Sequence, residues 1–421
     1  MARFTGRSEY FGAVYFDHAT GTVYPFDVVG AALLHAFSVY PLPRVVDAFA
    51  AEVPGGVEAV EAFVAHWTSQ GLLGDDGRPD ACMLPDTTCD GFLSAPFRMY
   101  TDFTSACNLR CQHCVSESGA RRSGELDTDQ WFQVLREIAG SGVFEINVGG
   151  GEPLLRGDAV EILRYACDLG LSVAMTTNGT LIDAPMAERL ASVPLRYIAL
   201  SLDGASTETH DTIRGAGGFE RIMAAVRHLS ARTHLHVNLH FTVMKHNLHE
   251  LDEFFRLAET LPVHSLGVLP IRPAGRARAN PHLLLTPAEY REVASRLEVL
   301  AGESVKPVFH IPFMPGNDAQ GSSRMYTTFG CGAAQVTCFM DACGRVVPCN
   351  FFDNAGPRES LLEHGLMEIW QHGPFFTRLR SLRGNPKCLS CLHLGACRGG
   401  CRAQAVATSG DLDAPDYYCL A

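Results

Sequence analysis

The chain has 421 residues, 47% hydrophobic and 19% charged, and a formal net charge of −12. This length predicts two or three domains, and this composition is typical of a globular protein with ample apolar material for a core. The acidic balance argues against nucleic acid as a partner, because phosphate contacts need clustered positive charge. The sequence has no apolar run near the ~18 residues that span a membrane and no apolar signal core after residues 1–7. We therefore expect a cytoplasmic protein with neither a membrane nor a nucleic-acid partner.

Residues 1–75 are predicted to form a small separate domain. Two β-rich runs, 11–17 and 22–26, flank a Gly-containing turn and indicate a hairpin. Three helical stretches follow, at 28–37, 45–53 and 57–73. A hairpin with three short helices is typical of a winged-helix-like unit, for which DNA binding and dimerisation are alternatives; the only basic residues here are Arg3, Arg7 and Arg44, which disfavours DNA. The segment 76–96, rich in Asp, Gly and Pro, is predicted to be a linker.

Strand and helix patterns alternate from residue 97 to about 315, which indicates parallel β/α units. Six strands are predicted, at 97–104, 143–148, 172–177, 197–203, 236–243 and 265–271. Asp127 or Thr128 is the predicted N-cap of the first helix, and Thr286 is that of a helix over 287–300. Six units fall short of a closed eight-unit barrel, so we predict an α/β fold with a partial (β/α)6 barrel. In such folds the active site gathers at the C-terminal ends of the strands.

Fifteen cysteines are the most informative feature of the composition, because in a reducing cytoplasm they are metal ligands more often than disulfides. Three of them, Cys107, Cys111 and Cys114, stand on one loop directly after the first strand. A closed zinc site or an ordinary cubane iron-sulfur cluster takes four protein ligands, so three thiolates leave one metal corner open to a ligand that is not protein. A zinc knuckle completed by a residue such as His113 is the alternative.

Glycine-rich or polar motifs follow the next three strands, at the same end of the barrel. They are Gly149-Gly-Gly-Glu-Pro153, Thr176-Thr-Asn-Gly179 and Ser201-Leu-Asp-Gly204. Glycines let a backbone approach a ligand closely, and a neighbouring carboxylate can pair with an ammonium group. Ordinary capping of βα loops would explain any one of these motifs but not the ordered set. With C-x3-C-x2-C in front of them, the chain resembles the radical S-adenosylmethionine (SAM) enzymes.

The resemblance implies a mechanism and a set of site residues. The three loop cysteines would be catalytic, holding a [4Fe-4S] cluster whose open iron binds SAM; one electron would cleave SAM to methionine and a 5′-deoxyadenosyl radical, which abstracts hydrogen from the substrate. The residues implied for SAM binding are Gly150, Gly151, Glu152, Pro153, Thr177, Asn178, Ser201, Asp203 and Arg214. Glu152 would face the α-amino group of SAM. Arg214 would contact the SAM carboxylate or the substrate, a solvated loop arginine being the alternative, and residues 269–276 would lie on the adenine side.

The C-terminal quarter, 325–421, carries a second cysteine group whose spacing resembles the SPASM domain. Twelve residues separate Cys331 from Gly344-x4-Cys349, and a Cys-x2-Cys-x5-Cys-x3-Cys run and a lone Cys419 follow. The resemblance implies two auxiliary [4Fe-4S] clusters, three clusters in all. The first would be held by Cys331, Cys349 and Cys401, with Cys338 or Cys343 as fourth ligand or with an open corner, and the second by Cys388, Cys391, Cys397 and Cys419. A zinc ribbon is the alternative, since Cys-x2-Cys pairs also bind zinc.

The order of the domains predicts the substrate class. A winged-helix-like unit before a radical SAM core resembles the recognition element that binds the leader of a ribosomally made precursor peptide against an exposed strand edge. We therefore expect a peptide maturase that forms a thioether, C–C or C–O cross-link, with a flavodoxin or ferredoxin as electron donor. The alternatives are oxidation or decarboxylation of a small molecule as in haem synthesis, sulfatase maturation, and a non-catalytic iron-sulfur redox sensor.

Overall fold

The structure, a computed structural model, describes residues 2–232, 234–310, 331–352, 356–382, 385–392, 394–397 and 399–419. The chain forms two compact units, of which the first ends at Ala95 and the second begins at Pro96. The predicted domain limits at residues 315 and 325 lie outside the described residues. In the part of the chain that the structure covers, no helix is both long and apolar enough to cross a membrane.

The first unit is a four-stranded sheet packed against helices. Its strands are β1 (Phe4–Glu9), β2 (Gly12–Asp17), β3 (Thr22–Asp27) and β4 (Ala81–Met83), in the order β3-β2-β1-β4. Its helices are α1 (Val28–Val39), α2 (Leu42–Phe49) and α3 (Gly56–Ser69). The carboxylate of Asp27 caps α1 by accepting the N–H of Gly30 at 2.8 Å. Trp67 of α3 packs on Phe26 of β3, with ring centroids 4.7 Å apart, so the predicted hairpin and helices share one core.

The sequence analysis did not predict two strands of this unit, β1 and β4. The first of them, β1, carries buried charges. Arg7 and Glu9 of β1 are buried as an ion pair 2.6 Å apart, whereas charged residues in a strand pattern indicate an exposed face. Arg7 also donates to the carbonyl of Ala95, and Glu9 accepts the N–H of Ser94, both at 2.8 Å. The linker prediction for 76–96 is therefore wrong in part, because β4 pairs with β1 and residues 94–95 satisfy its buried charges.

The second unit is built on one ten-stranded sheet in the order β11-β10-β9-β8-β7-β6-β5-β12-β13-β14. Its strands are β5 (Arg98–Thr104), β6 (Glu145–Gly150), β7 (Ser172–Thr177), β8 (Tyr197–Ser201), β9 (Val237–Val243), β10 (Ser265–Pro270), β11 (Val308–His310), β12 (Thr337–Met340), β13 (Arg345–Val347) and β14 (Glu359–Ser360). The six predicted strands are β5 to β10, all parallel to their neighbours, so the partial (β/α)6 barrel is confirmed. The C-terminal segment continues this sheet, because β12 pairs in parallel with β5.

Helices follow the strands as the β/α alternation predicts. Those of the barrel are α4 (Thr128–Gly140), α5 (Ala159–Asp168), α6 (Ala184–Ala191), α7 (Thr207–Arg214), α8 (Gly218–Ser230), α9 (Leu251–Thr260), α10 (Arg276–Ala279) and α11 (Pro287–Glu303). Those of the C-terminal segment are α12 (Leu366–His372), α13 (Pro374–Arg380), α14 (Pro386–Leu389), α15 (Leu394–Cys397) and α16 (Arg402–Ser409). Asp127 and Thr286 are the N-caps of α4 and α11, each in a capping box, as predicted.

The sheet of the second unit has a helix-covered face and an opposite, polar face. Phe103 of β5 packs on Trp131 of α4, with ring centroids 4.7 Å apart. The preceding residue, Asp102, points to the opposite face because successive strand residues alternate. We call this the inner face. On it, the amide of Asn147 donates to the hydroxyl of Tyr197 at 2.9 Å, which links β6 to β8.

Candidate functional site

The cysteine loop leaves β5 and is held in place by backbone contacts. The N–H of Cys107 donates to the carbonyl of Gly119 at 3.0 Å, which closes the loop on itself. The side chain of Arg276 donates to the carbonyl of Cys111 at 2.8 Å, and its backbone N–H donates to that of Cys114 at 3.0 Å. The segment 269–276, predicted to lie on the adenine side of SAM, thus supports the cysteine loop directly through Arg276.

The three thiols of this loop are neighbours. Burial raises the pKa of Cys107 and of Cys111, and the thiol of Cys114 raises both further. The guanidinium of Arg214 opposes this effect at Cys111. Across the residues that the structure describes, no three His, Cys, Asp or Glu side chains converge on the position of a single metal ion. The three thiols stand within eight residues of one loop and act on one another's ionisation.

The glycines after β6 pack against the backbone that leads into the cysteine loop. A Cβ atom at Gly150, whose φ is +114°, would lie 2.5 Å from the carbonyl oxygen of Thr104. One at Gly151 would lie 2.0 Å from the carbonyl oxygen of Ala106, whereas one at Gly149 would meet nothing within 4 Å. Gly150 and Gly151 are thus required for close packing of two chain segments. This differs from the sequence argument, which explained them by approach to a ligand.

Glu152 connects the loop after β6 to the loop after β7. Its fully buried carboxylate accepts the hydroxyl of Thr177 at 2.7 Å and the N–H groups of Asn178 and Leu154 at 2.8 and 3.1 Å. Burial raises the pKa of Glu152, and these hydrogen bonds oppose the rise. Both carboxylate oxygens have protein donors, so the contact with the SAM amino group stays a prediction.

Asn178 brings the motif after β7 to the cysteine loop. Its amide nitrogen donates to the side-chain oxygen of Asn108 at 2.9 Å and lies 4.0 Å from the sulfur of Cys107.

Two further predicted site residues lie in the neighbouring loops. Pro153 is buried at the start of a 3-10 turn that follows Glu152, and Ser201 ends β8 in a half-buried position. The structure thus gathers three of the four predicted motifs around Cys107.

Asp203 is the centre of a buried ion-pair cluster beside the loop. One carboxylate oxygen lies 2.5 Å from Nε of Arg214 and 3.2 Å from Nε2 of His113. The other accepts the N–H of Thr242 at 2.8 Å. Burial alone would raise the pKa of Asp203, but the charge of Arg214 and the hydrogen bond with His113 outweigh it, so the pKa is lowered. The solvated-loop alternative for Arg214 is wrong, since its side chain is 12% exposed.

The C-terminal thiols form two groups. At the first, burial raises the pKa of Cys349 and the thiols of Cys401 and Cys331 raise it further. At the second, burial raises the pKa of Cys397, to which Asp416, Cys419 and Cys388 also contribute. Cys391 ends the turn in which its N–H donates to the carbonyl of Cys388 at 3.0 Å. Cys331, Cys349 and Cys401 all belong to the first predicted ligand set, and Cys388, Cys397 and Cys419 to the second; that they hold clusters stays a prediction.

Cys338 and Cys343, the two cysteines considered as fourth ligand of the first group, lie on β12 and in the turn that follows it. Cys338 is fully buried on β12, where burial raises its pKa and the charge of Arg380 opposes the rise. The thiol of Cys343 is directed to the carbonyl of Ser123 at 3.8 Å, in the turn between β12 and β13. Neither observation decides the fourth ligand, so Cys338, Cys343 and an open corner stay alternatives for the first cluster.

The residues present fit thiolate-ligated clusters. At four cysteines the backbone N–H two residues later donates to the sulfur: at Cys107, Cys331, Cys349 and Cys397, from Leu109, Ala333, Phe351 and Gly399. At Cys107 this distance is 3.4 Å. Hydrogen bonds to sulfur stabilise thiolate charge and tune iron-sulfur clusters.

Asp102 is a candidate functional residue that the sequence argument missed. Burial raises its pKa to about 7, although Ser116 donates a hydrogen bond to it and Arg122 and Arg358 lie nearby. It lies on the inner face, five residues before Cys107. The sequence feature that could have indicated it is its place next to Phe103: successive strand residues alternate, so Asp102 lies on the face opposite the helices.

Replacing Asp102 by asparagine should remove a pH dependence of stability. A folded-state pKa of about 7, against an ordinary value of 3.8, means that the folded protein binds the extra proton. The contribution is fully present below about pH 4 and is lost as the pH rises to about 7, a fall of about 4 kcal/mol in the free energy of unfolding. Urea unfolding between pH 4.5 and 8 measures it, with exposed Asp129→Asn as control; parallel curves for wild type and Asp102→Asn would contradict it.

A parallel β/α sheet with three thiols at its carboxyl edge, and two further thiol groups beside it, defines an iron-sulfur enzyme. The radical SAM superfamily model matches residues 101–258, and the model of the SPASM iron-sulfur cluster-binding domain matches residues 331–392. The mycofactocin maturase MftC of Mycobacterium ulcerans (strain Agy99) is 35% identical over 336 residues, 78% of this chain and 89% of the relative. The chain belongs to the radical SAM superfamily and is an enzyme that uses SAM and iron-sulfur clusters.

Other relatives share the chemistry and differ in what their names say they act on. The AdoMet-dependent heme synthase of Methanosarcina barkeri (strain Fusaro / DSM 804) is 32% identical over 78% of this chain and 97% of its own length. The PqqA peptide cyclase of Rhizobium meliloti (strain 1021) is 31% identical over 77% and 87%. Among solved structures, Streptococcus suis SuiB bound to S-adenosylmethionine covers 100% of this chain and 99% of its own, with a TM-score of 0.76 at 18% identity. The last likeness concerns the fold alone.

Proposed function

We propose that this enzyme matures a ribosomally made precursor peptide whose leader pairs with the outer edge of β3. The supporting observation is that β3 ends the first sheet and, among the described strands, has β2 as its one neighbour. Strand edges bind extended peptides through backbone hydrogen bonds. Val28 and Val29, directly after β3, are 65% and 40% exposed and offer an apolar surface to the side chains of such a peptide.

Pro25 determines which backbone groups this edge offers. A proline in a sheet sits where its missing N–H faces away from the neighbouring strand, so Pro25 faces outward, and Val23 does so as well. The outer edge then provides the N–H of Val23 and the carbonyls of both residues. A proline on an edge also limits unspecific strand pairing, which suits a site reserved for one peptide.

The chemistry divides between the bound groups and the residues of the chain. Bound SAM, with its cluster, supplies the 5′-deoxyadenosyl radical that abstracts hydrogen from the substrate. Glu152 fixes the loop after β6 to the loop after β7, and Asp203 holds the cation of Arg214 beside the thiols of the cysteine loop. Loss of one hydrogen atom, one electron and one proton leaves the peptide oxidised by two electrons, as a thioether, C–C or C–O cross-link requires.

We propose three [4Fe-4S] clusters and an electron donor such as flavodoxin or ferredoxin. The SAM cluster would use Cys107, Cys111 and Cys114, and the two C-terminal thiol groups would hold one auxiliary cluster each. The first auxiliary group has three grouped thiols, which supports an open or non-cysteine fourth corner. An auxiliary cluster is a suitable acceptor for the electron that leaves the substrate.

Oxidation or decarboxylation of a small molecule is the second candidate. It is favoured by the likeness to the heme synthase, which this chain matches over 97% of that relative's length. It needs no strand-edge recognition, whereas the peptide proposal depends on the first unit. The two candidates therefore differ in whether substrate binding depends on an intact β3 edge: a peptide needs this edge, and a small molecule does not.

The proposal is tested with the reduced, anaerobic enzyme, SAM and a short peptide encoded beside its gene. We expect 5′-deoxyadenosine and a peptide lighter by two hydrogen atoms, seen by mass spectrometry. Val23→Pro should weaken peptide binding about three- to tenfold, because one edge hydrogen bond is lost, while 5′-deoxyadenosine formation without peptide stays unchanged. Val57→Pro, in the first turn of α3 where proline is tolerated, is the matched control. Unmodified peptide, or equal affinity in Val23→Pro, would contradict the proposal.

A further inference from the structure

Three buried polar side chains belong to residues that adjoin or act on Cys401, a member of the first group of auxiliary thiols. Arg272 follows β10, and Arg402 and Gln404 lie on α16; they are 9%, 6% and 2% exposed. The guanidinium of Arg272 donates to the side-chain oxygen of Gln404. It also lies over the ring of Tyr418, 5.8 Å from the centroid. We call these three residues the buried donor group.

Several donors of this group have no acceptor in the chain itself. Nε and Nη2 of Arg402 and Nε2 of Gln404 are buried and, among the residues that the structure describes, find no hydrogen-bond partner. The remaining nitrogen of Arg402, Nη1, donates to the carbonyls of Leu412 and Ala414 at 3.1 and 3.3 Å. Buried donors without acceptors are costly, so this arrangement favours an acceptor that the polypeptide does not supply.

The buried donor group lies beside the thiols of the first auxiliary group. Arg402 directly follows Cys401, and the backbone N–H of Arg402 donates to the sulfur of Cys331. Burial raises the pKa of Cys401 to about 11, and the charge of Arg272 opposes that rise, as it does at Cys349. The sulfur atoms of a cluster held here would therefore be acceptors available to the unpaired donors.

The second auxiliary group has a different electrostatic environment. After burial, the groups that raise the pKa of Cys397 are Asp416, Cys419 and Cys388, all of them anionic when ionised. Asp416 also acts on the first group, where its charge raises the pKa of Cys401 and Cys331 and its carboxylate accepts the N–H of Cys401 at 2.7 Å. The difference between the two groups is therefore the cation of Arg272, which opposes the rise at Cys349 and Cys401 and does not act on Cys397 in this way. Positive charge and N–H donors near the sulfurs stabilise the reduced, more negative cluster and so raise its potential.

We propose that Arg272, Arg402 and Gln404 set the reduction potential of the first auxiliary cluster above that of the second. This inference rests on the proposed function, which assigns one cluster to each thiol group. An electron lost by the substrate radical would reduce the first cluster, whose net charge becomes more negative by one. The electron would stay there until an external acceptor, an oxidised flavodoxin- or ferredoxin-type protein, removes it. The proton of the substrate leaves separately. The two clusters would thus differ in role because of the charges of Arg272, which follows β10, and of Arg402 on α16.

The test uses the full chain with Cys107, Cys111 and Cys114 changed to alanine, so that the auxiliary clusters alone titrate. EPR-monitored redox titration gives their two potentials, and the signal lost in Cys331→Ala identifies the first cluster. In Arg272→Met we expect the ratio of reduced to oxidised first cluster at a fixed potential to fall about tenfold, about 59 mV for a one-electron couple. Arg272→Lys should retain the potential because it retains the charge.

Two further variants control for folding and for unspecific charge effects. Gln404→Met removes an unpaired donor without removing a charge and should also lower the potential of the first auxiliary cluster. Arg378→Met removes an exposed arginine of the same segment, 53% exposed, and should change neither potential. About eight irons per chain with unchanged potentials in Arg272→Met and Gln404→Met would overturn the inference. Fewer irons in the parent protein would instead overturn the cluster count of the proposed function.

Discussion

Replacing Cys107, Cys111 and Cys114 together by alanine should abolish formation of 5′-deoxyadenosine. It should also lower the bound iron from about twelve to about eight atoms per chain, the loss of one four-iron cluster. The physical reason is that these thiols stand on one loop, fixed by Gly119 and Arg276, and act on one another electrostatically. Iron and sulfide analysis of the anaerobically reconstituted protein, with chromatography of the reaction products, measures both effects.

The matched control replaces three cysteines that lie outside the thiol groups, Cys82, Cys89 and Cys167. This variant should keep all twelve irons and full SAM cleavage. Retention of twelve irons in the Cys107/Cys111/Cys114 variant would show that the loop holds no cluster. About four irons accompanied by roughly two zinc ions in the unmodified protein would mean that the C-terminal thiols are structural.

Replacing Arg214 by methionine should destabilise the second unit by about 3–5 kcal/mol, because the buried carboxylate of Asp203 would lose its cationic partner. The pair is buried, with side-chain exposures of 12% for Arg214 and 0% for Asp203. His113 and the N–H of Thr242 would remain as hydrogen-bond partners, but they do not replace the charge of the guanidinium. Denaturant unfolding of the full chain, monitored for its second unit, measures the loss.

Two comparisons separate the charge effect from simple loss of a side chain. Asp203→Asn combined with Arg214→Met should recover more than half of the lost stability, because no uncompensated charge remains. Arg232→Met should cost at most about 1 kcal/mol, since its partner Glu188 is 75% exposed. A loss in Arg214→Met no larger than that in Arg232→Met would refute the ion-pair argument.

The sequence by itself determined the features that depend on local pattern. All six barrel strands and the N-caps Asp127 and Thr286 were predictable, because hydrophobic periodicity and capping act over a few residues. The cysteine loop was predictable for a related reason: Cys107, Cys111 and Cys114 are close in the chain, so their spacing carries the chemistry. The family membership follows from the order of these motifs.

Only the tertiary structure decided which charges are buried and what they touch. No sequence pattern predicted that Arg7 and Glu9 of β1 are buried against residues 94–95, which converts an expected linker into part of the first unit. Arg214 from the end of α7 and His113 from the cysteine loop meet at Asp203, and Arg272 meets Gln404 across 132 residues of chain. Such pairings leave no local signature, because the free energy of a buried charge depends on partners that folding alone brings within hydrogen-bonding distance.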